Sequence, residues 1–164
     1  MANYLNKWTT TFLVLLIGLI LLTYSTTLHA PFNFDDEAVI KFETADVHSN
    51  ISHALLSSGV MKVLHGYIYP LRYRHLFYSS LLLNYSQGKL NPFGYHLTNI
   101  FFHLITSIVI FFITFITIKR GLERDKKESF AIAAITTLFF SLNPVHSETV
   151  NYISARAVGM SSFF

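Results

Sequence analysis

The sequence predicts an all-α, polytopic membrane protein with three complete transmembrane helices, the start of a fourth, and a long, partly helical first outer loop. Three observations carry that prediction. Of 164 residues, 52% are hydrophobic and only 13% are charged, about half the charge of an average soluble domain. Mean hydropathy is +0.44, which leaves too few polar residues to cover a soluble surface. The charges are also spaced to leave long uncharged runs, and a helix that crosses a bilayer needs roughly 20 mostly apolar residues.

The first uncharged run lies between Lys7 and Asp35, with the apolar centre FLVLLIGLILL and Trp8 and Tyr24 at its ends, where an aromatic belt sits. A span over about 9–27 is expected. Residues 25–30 hold no small-x-small cleavage site and Pro31 follows, so this span reads as an uncleaved signal anchor. The second run gives a span over 96–118 and the third a span over 129–143. A fourth begins near Thr149, and 149–164 is only part of a crossing.

Orientation follows from Lys and Arg near the span ends. The connection 119–128 reads KRGLERDKKE and holds Lys119, Arg120, Arg124, Lys126 and Lys127. It is predicted to face the cytoplasm with the amino terminus, and the loop of about 28–95 to face the other side. That loop carries an acidic stretch at 31–50, a candidate helix at 51–68, and the uncharged segment 75–87, too short to span and expected to lie at the interface. The chain is therefore an integral, multi-pass membrane protein with the bilayer as its first partner. The bacterial inner membrane and the endoplasmic reticulum both fit. A formal charge of +3 with eight His does not suggest nucleic-acid binding. The absence of Cys excludes disulfides, thiolate metal sites and cysteine catalysis.

Chemistry is concentrated at a few outer positions. Asp35, Asp36 and Glu37 are adjacent just after the first span. Mutual repulsion raises carboxyl pKa values and suits a general base, although a solvated acidic loop is the simpler reading of composition alone. Asn143-Pro144-Val145-His146-Ser147-Glu148 forms a turn on the same side. Glu148 there is explained by the dipole of the outgoing helix, and equally by a site at the membrane edge together with His146. Arg156 follows eight residues later, on an apolar helix where an arginine faces protein or a cavity. Arg72 and Arg74 either snorkel to headgroups or clamp a phosphate. His96 and His103 share a helix face, but their spacing gives no metal set. Asn50-Ile-Ser and Asn84-Tyr-Ser match the glycosylation pattern.

The ordered runs FNFDDEAVI, YRHL, LNPFGYHLTNIFFHL and LFFSLNPVHSETVNYISARA resemble the amino-terminal membrane region of the transmembrane and tetratricopeptide-repeat O-mannosyltransferase family and its bacterial relatives. The resemblance implies a GT-C fold and a glycosyltransferase that moves a mannose-like sugar from a polyprenyl phosphate to a hydroxyl acceptor, a protein Ser/Thr or a glycan, at the outer or luminal face. It matches Asp35 and Asp36 to an acidic catalytic motif, leaving open whether Asp35-Asp36 or Asp36-Glu37 is the effective pair. It matches His146 and Glu148 to the second outer loop and Arg156 to the arginine after it. His75, Asn143 and Val158 depart from the family pattern. An aspartate general base would activate the acceptor, and Arg72, Arg74, Arg156 and His146 would offset charge on the leaving phosphate. No cofactor is required, although the carboxylates also suit Mg²⁺ or Mn²⁺. Two other classes compete: a non-catalytic scaffold or accessory subunit, and a transporter fragment. With few spans to wall a donor groove, residues 1–164 alone are expected to be inactive.

Because the chain has no native Cys, topology is directly testable. A Ser57→Cys variant is expected to label with an impermeant maleimide only from the non-cytoplasmic side, and Lys127→Cys only from the cytoplasm. The reverse pattern would invert the assignment.

Overall fold

The longest uncharged run folds as the longest helix. In the computed structural model, which describes residues 7–37, 39–40 and 75–161, helix α1 covers Lys7–Thr23, α2 is the single turn Asp35–Glu37, α3 covers His75–Gly88, α4 Pro92–Ile116, α5 Lys126–Ser141, α6 His146–Asn151 and α7 Arg156–Ser161. Helical segments are the only regular structure among the described residues, as the composition predicts.

Helix α4 starts where its sequence directs it to. Asn91 caps it, its side chain accepting from the Phe93 N–H at 3.1 Å, and Pro92 occupies the first turn, where its missing N–H costs nothing. The helix continues through a π turn, Thr117–Gly121. Pro92–Gly121, 30 residues, is long and apolar enough to cross a membrane.

The buried helix faces mix polar and apolar groups, while large apolar side chains are exposed. On α4 the buried face carries His96, Asn99, His103 and Ser107 beside Tyr95, Ile100, Phe111 and Phe115, while Phe101, Val109 and Ile113 are exposed. On α5 the buried stripe is Ser129, Ala133, Thr137 and Ser141, all small, and Ile132, Ile135 and Phe139 point outward. Small residues at every fourth position let helix backbones approach closely where no water drives association. Helix α5 packs on α4, and α1 closes one side through Phe12, whose ring lies 5.1 Å from Phe111 and 5.8 Å from Phe130.

Three complete crossings are not supported. Among the described residues only Pro92–Gly121 passes for a span by length and composition. Helix α1 has 17 residues and α5 has 16, short of the roughly 20 required. The uncharged runs are longer than the helices they contain. After α1 the chain tightens into a 3₁₀ turn, Ser25–His29, with the hydroxyls of Thr23 and Ser25 taking the carbonyls of Leu19 and Leu22. Continuous helix from Thr149 is also corrected: α6 ends at Asn151, Tyr152 is extended, and α7 restarts at Arg156. The side-chain amide of Asn99 donates to both the Val150 and Tyr152 carbonyls at 3.1 Å, taking acceptors that a continuing helix would use. The uncharged outer segment forms α3, 14 residues, packed on α4 and α7. The candidate helix at 51–68 and Asn50 lie outside the described residues.

The contact between α6 and α7 is tight at Gly159, where a Cβ would come within 2.9 Å of Thr149 Cγ2. Threonine is stiff at χ1 and cannot swing away freely. Gly159→Ala is expected to cost about 1–3 kcal/mol, measured by thermal unfolding in detergent, and adding Thr149→Ser should restore most of the loss.

Candidate functional site

The acidic turn is built by a local backbone device. Phe34, largely exposed, adopts a left-handed φ of 49°, uncommon for a residue with a Cβ. This reverses the chain so that the Asp36 N–H donates to the Asn33 carbonyl at 3.1 Å and α2 begins. Adjacent residues on a helical turn point about 100° apart, so the three carboxylates separate. Asp36 goes inward and is 1% exposed, while Asp35 and Glu37 remain exposed.

Asp36 ties this turn to the far end of the chain. Its Oδ1 accepts from the Ser154 N–H at 2.7 Å, across the interruption between α6 and α7. Its Oδ2 is buried and has no hydrogen-bond partner among the described residues. The 3₁₀ turn adds a second tie, with Thr27 Oγ1 donating to Asn151 Oδ1 at 2.9 Å. These links bring Phe34 and Asp35 to the start of α6. A cleft of about 580 Å³ forms there, lined by Asp35, Ser147, Glu148, Asn151, Tyr152 and Ser154 among others. Asp35 and Glu148, from two motifs far apart in sequence, thus share one cleft. Glu37 is not among its lining residues.

The turn before α6 is organised by Asn143, whose side-chain oxygen accepts from the Val145 N–H at 3.0 Å and whose carbonyl accepts from the His146 N–H at 3.0 Å. Glu148 falls in the first turn of α6, where a carboxylate is favoured. His146 faces a different cavity of about 300 Å³ with His103, Asn99 and Arg156. Its ring lies 4.2 Å from Phe140 and 5.5 Å from His103 between centroids. The second outer motif is therefore divided between two neighbouring spaces, Glu148 lining the cleft with Asp35 and His146 the cavity with His103.

Arg156 is 2% exposed, and protein oxygens take four of its five N–H groups. Its Nε donates to Asn99 Oδ1 at 2.7 Å, Nη1 to Ser80 Oγ and Asn84 Oδ1 at 2.9 Å each, and Nη2 to the Tyr95 carbonyl at 3.0 Å. A guanidinium keeps its charge at neutral pH, so these bonds are to a cation. The guanidinium expected to meet a donor phosphate is, in this arrangement, enclosed by α3 and α4. Arg72 and Arg74 lie outside the described residues.

Sequence reasoning missed Asn99 and saw Asn84 only as a glycosylation motif. Asn84 is buried with both ends of its amide engaged, donating to the Gly94 carbonyl and Thr98 Oγ1 and accepting from Arg156. A glycan on that nitrogen would displace this packing. The available signal for Asn99 was its place on the face shared by His96 and His103 in an otherwise apolar run. For a divalent cation, Asp35 and Glu148 are the carboxylates the cleft offers. No group of three or more His, Asp or Glu able to hold a metal occurs among the described residues.

No protein-family profile and no solved structure matches the chain. Curated proteins do. Protein O-mannosyl-transferase TMTC3 of Homo sapiens is 28% identical over 159 residues, covering 93% of this chain and 16% of that protein. Protein O-mannosyl-transferase TMTC2 of Homo sapiens is 35% identical over 152 residues, covering 86% of this chain and 16% of that protein. TMTC3 of Mus musculus is 36% identical over 92 residues, covering 56% of this chain. The chain spans about a sixth of the length of the curated human relatives it matches.

The Arg156 network predicts a large effect from one change. Arg156→Met is expected to cost about 3–5 kcal/mol, because it strands the buried oxygens of Asn84, Asn99 and Tyr95. Thermal unfolding in detergent measures the loss, and Arg156→Lys, with one point charge and three donors, should fall between Met and the native residue.

Proposed function

We propose that this chain, a member of the transmembrane and tetratricopeptide-repeat O-mannosyltransferase family, supplies the first-loop part of the active site of a membrane mannosyltransferase. Its donor would be a mannose on a polyprenyl phosphate and its acceptor the hydroxyl of a protein Ser/Thr or a glycan. The reaction would take place at the outer or luminal membrane face, in a GT-C-type, multi-pass enzyme of the endoplasmic reticulum or a bacterial inner membrane. The observation that carries the reading is the cleft shared by Asp35 and Glu148.

The two aspartates take different roles in this reading. Asp35, exposed in the cleft, is the general base. The acceptor oxygen attacks the anomeric carbon as its proton passes to the Asp35 carboxylate. The bond from that carbon to the phosphate oxygen breaks, and its electron pair leaves with the lipid phosphate. Direct displacement inverts the anomeric centre. Asp36, buried and held by the Ser154 N–H, is a positioning residue that fixes α2 against α6 and α7. Glu148 orients the acceptor or holds a divalent cation opposite Asp35. With Arg156 enclosed by neutral acceptors, the charge that grows on the phosphate falls to Arg72, Arg74 and His146. Residues 1–164 alone are inactive in this reading, since they supply one part of the site.

The experiment is transfer of labelled mannose from a polyprenyl-phosphate donor to a Ser/Thr peptide by membranes carrying the complete gene product. Asp35→Asn is expected to lower turnover by about 10²–10⁴-fold with expression unchanged, because the residue is exposed. Asp36→Asn should chiefly lower thermal stability. Full turnover in Asp35→Asn would remove the base assignment.

A further inference from the structure

At the opposite end of α4 from the acidic turn lies a second cleft, of about 580 Å³, which the proposed reaction does not use. Trp8 and Thr9 of α1, Phe115 of α4, and Lys126, Lys127 and Phe130 of α5 line it. Its walls are aromatic, and its rim is cationic and exposed. We propose that this cleft binds one anionic phospholipid of the surrounding leaflet, with the glycerol and upper acyl chains against Trp8, Phe115 and Phe130 and the phosphate between Lys126 and Lys127.

Three observations converge on that occupant. The first is place. The cleft sits where the only helix of spanning length among the described residues gives way to the basic connection, beside Trp8, which is 73% exposed and of a residue type enriched at membrane interfaces. The second is charge. Arg124 is offset by Glu128 at 3.5 Å and Asp125 caps α5 through the Glu128 N–H at 2.8 Å, whereas no carboxylate lines the cleft beside Lys126 and Lys127. Lysine binds phosphate as a point charge, and basic pockets between helices at a membrane surface hold anionic headgroups. The third is chemistry of the walls. A small soluble anion would gain nothing from three aromatic rings, while a lipid buries its upper chains on them. A zwitterionic lipid shares the phosphate but brings a cation toward the lysines.

Trp8 is the only Trp, so its fluorescence reads this cleft directly. The 164-residue chain is placed in phosphatidylcholine nanodiscs containing increasing fractions of lipid brominated on the upper acyl chain. Brominated phosphatidylglycerol is expected to quench Trp8 at a mole fraction at least about tenfold lower than brominated phosphatidylcholine, since each lysine near an anionic headgroup contributes roughly a fivefold change in association. The Lys126→Gln/Lys127→Gln variant, altered at two exposed positions, should bring the two lipids to parity. Arg120→Gln/Arg124→Gln removes the same charge outside the cleft and should keep the preference. Equal quenching by both lipids, or equal loss of preference in both double variants, overturns the site in favour of general attraction to the basic connection. Relief of phosphatidylglycerol quenching by millimolar inorganic phosphate overturns it in favour of a soluble anion. The outcome is independent of whether the acidic cleft catalyses transfer.

Discussion

One buried guanidinium, that of Arg156, organises the outer half of this molecule. It is 2% exposed, and its four hydrogen bonds go to neutral oxygens on α3 and α4. Taking an ion out of water is expensive, and only well-directed partners offset that cost. Each acceptor is therefore held in place in turn. Asn84 is fixed by Gly94 and Thr98, and Asn99 by the carbonyls that end α6. Asn99 is the hinge of this arrangement, since one amide both breaks the helix before Arg156 and receives the guanidinium after it.

The break has a direct effect on the acidic turn. A continuous helix through 152–155 would have engaged the Ser154 N–H within itself. The interruption leaves that donor for Asp36, and Asp36 brings Asp35 across to Glu148. The geometry of the cleft thus depends on a polar network that reaches its lining at Tyr152, whose carbonyl accepts from Asn99. Arg156 fits the sequence-based rule that a lone arginine on an apolar segment faces protein or a cavity, since protein oxygens hold it on the wall of the cavity that His146 also lines.

Much of the fold was legible because apolar runs and their punctuation are local properties. Asn91 and Pro92 mark the start of α4, and Lys119 and Arg120 lie in the π turn that ends it. The charge gaps overstated helix length, since uncharged residues such as Ser25, Thr26 and Thr27 serve a tight turn as well as a span. The site was less legible. Three adjacent carboxylates look equivalent in a sequence, and only the left-handed Phe34 and the distant Ser154 N–H decide which one is buried. Asn84 read as a modification motif and Asn99 passed unnoticed, because a hydrogen bond between positions 57 or 72 apart leaves no periodic trace.

Those separations also bear on how the chain is made. Ser80, Asn84 and Asn99 precede Arg156 by 76, 72 and 57 positions. At the pace of a ribosome, about 5–20 residues per second, the acceptors wait on the order of several seconds for their donor. During that interval α3 and α4 present buried-type amides and a hydroxyl with no guanidinium to receive. The network around Arg156 therefore cannot close before the last of its members has been made.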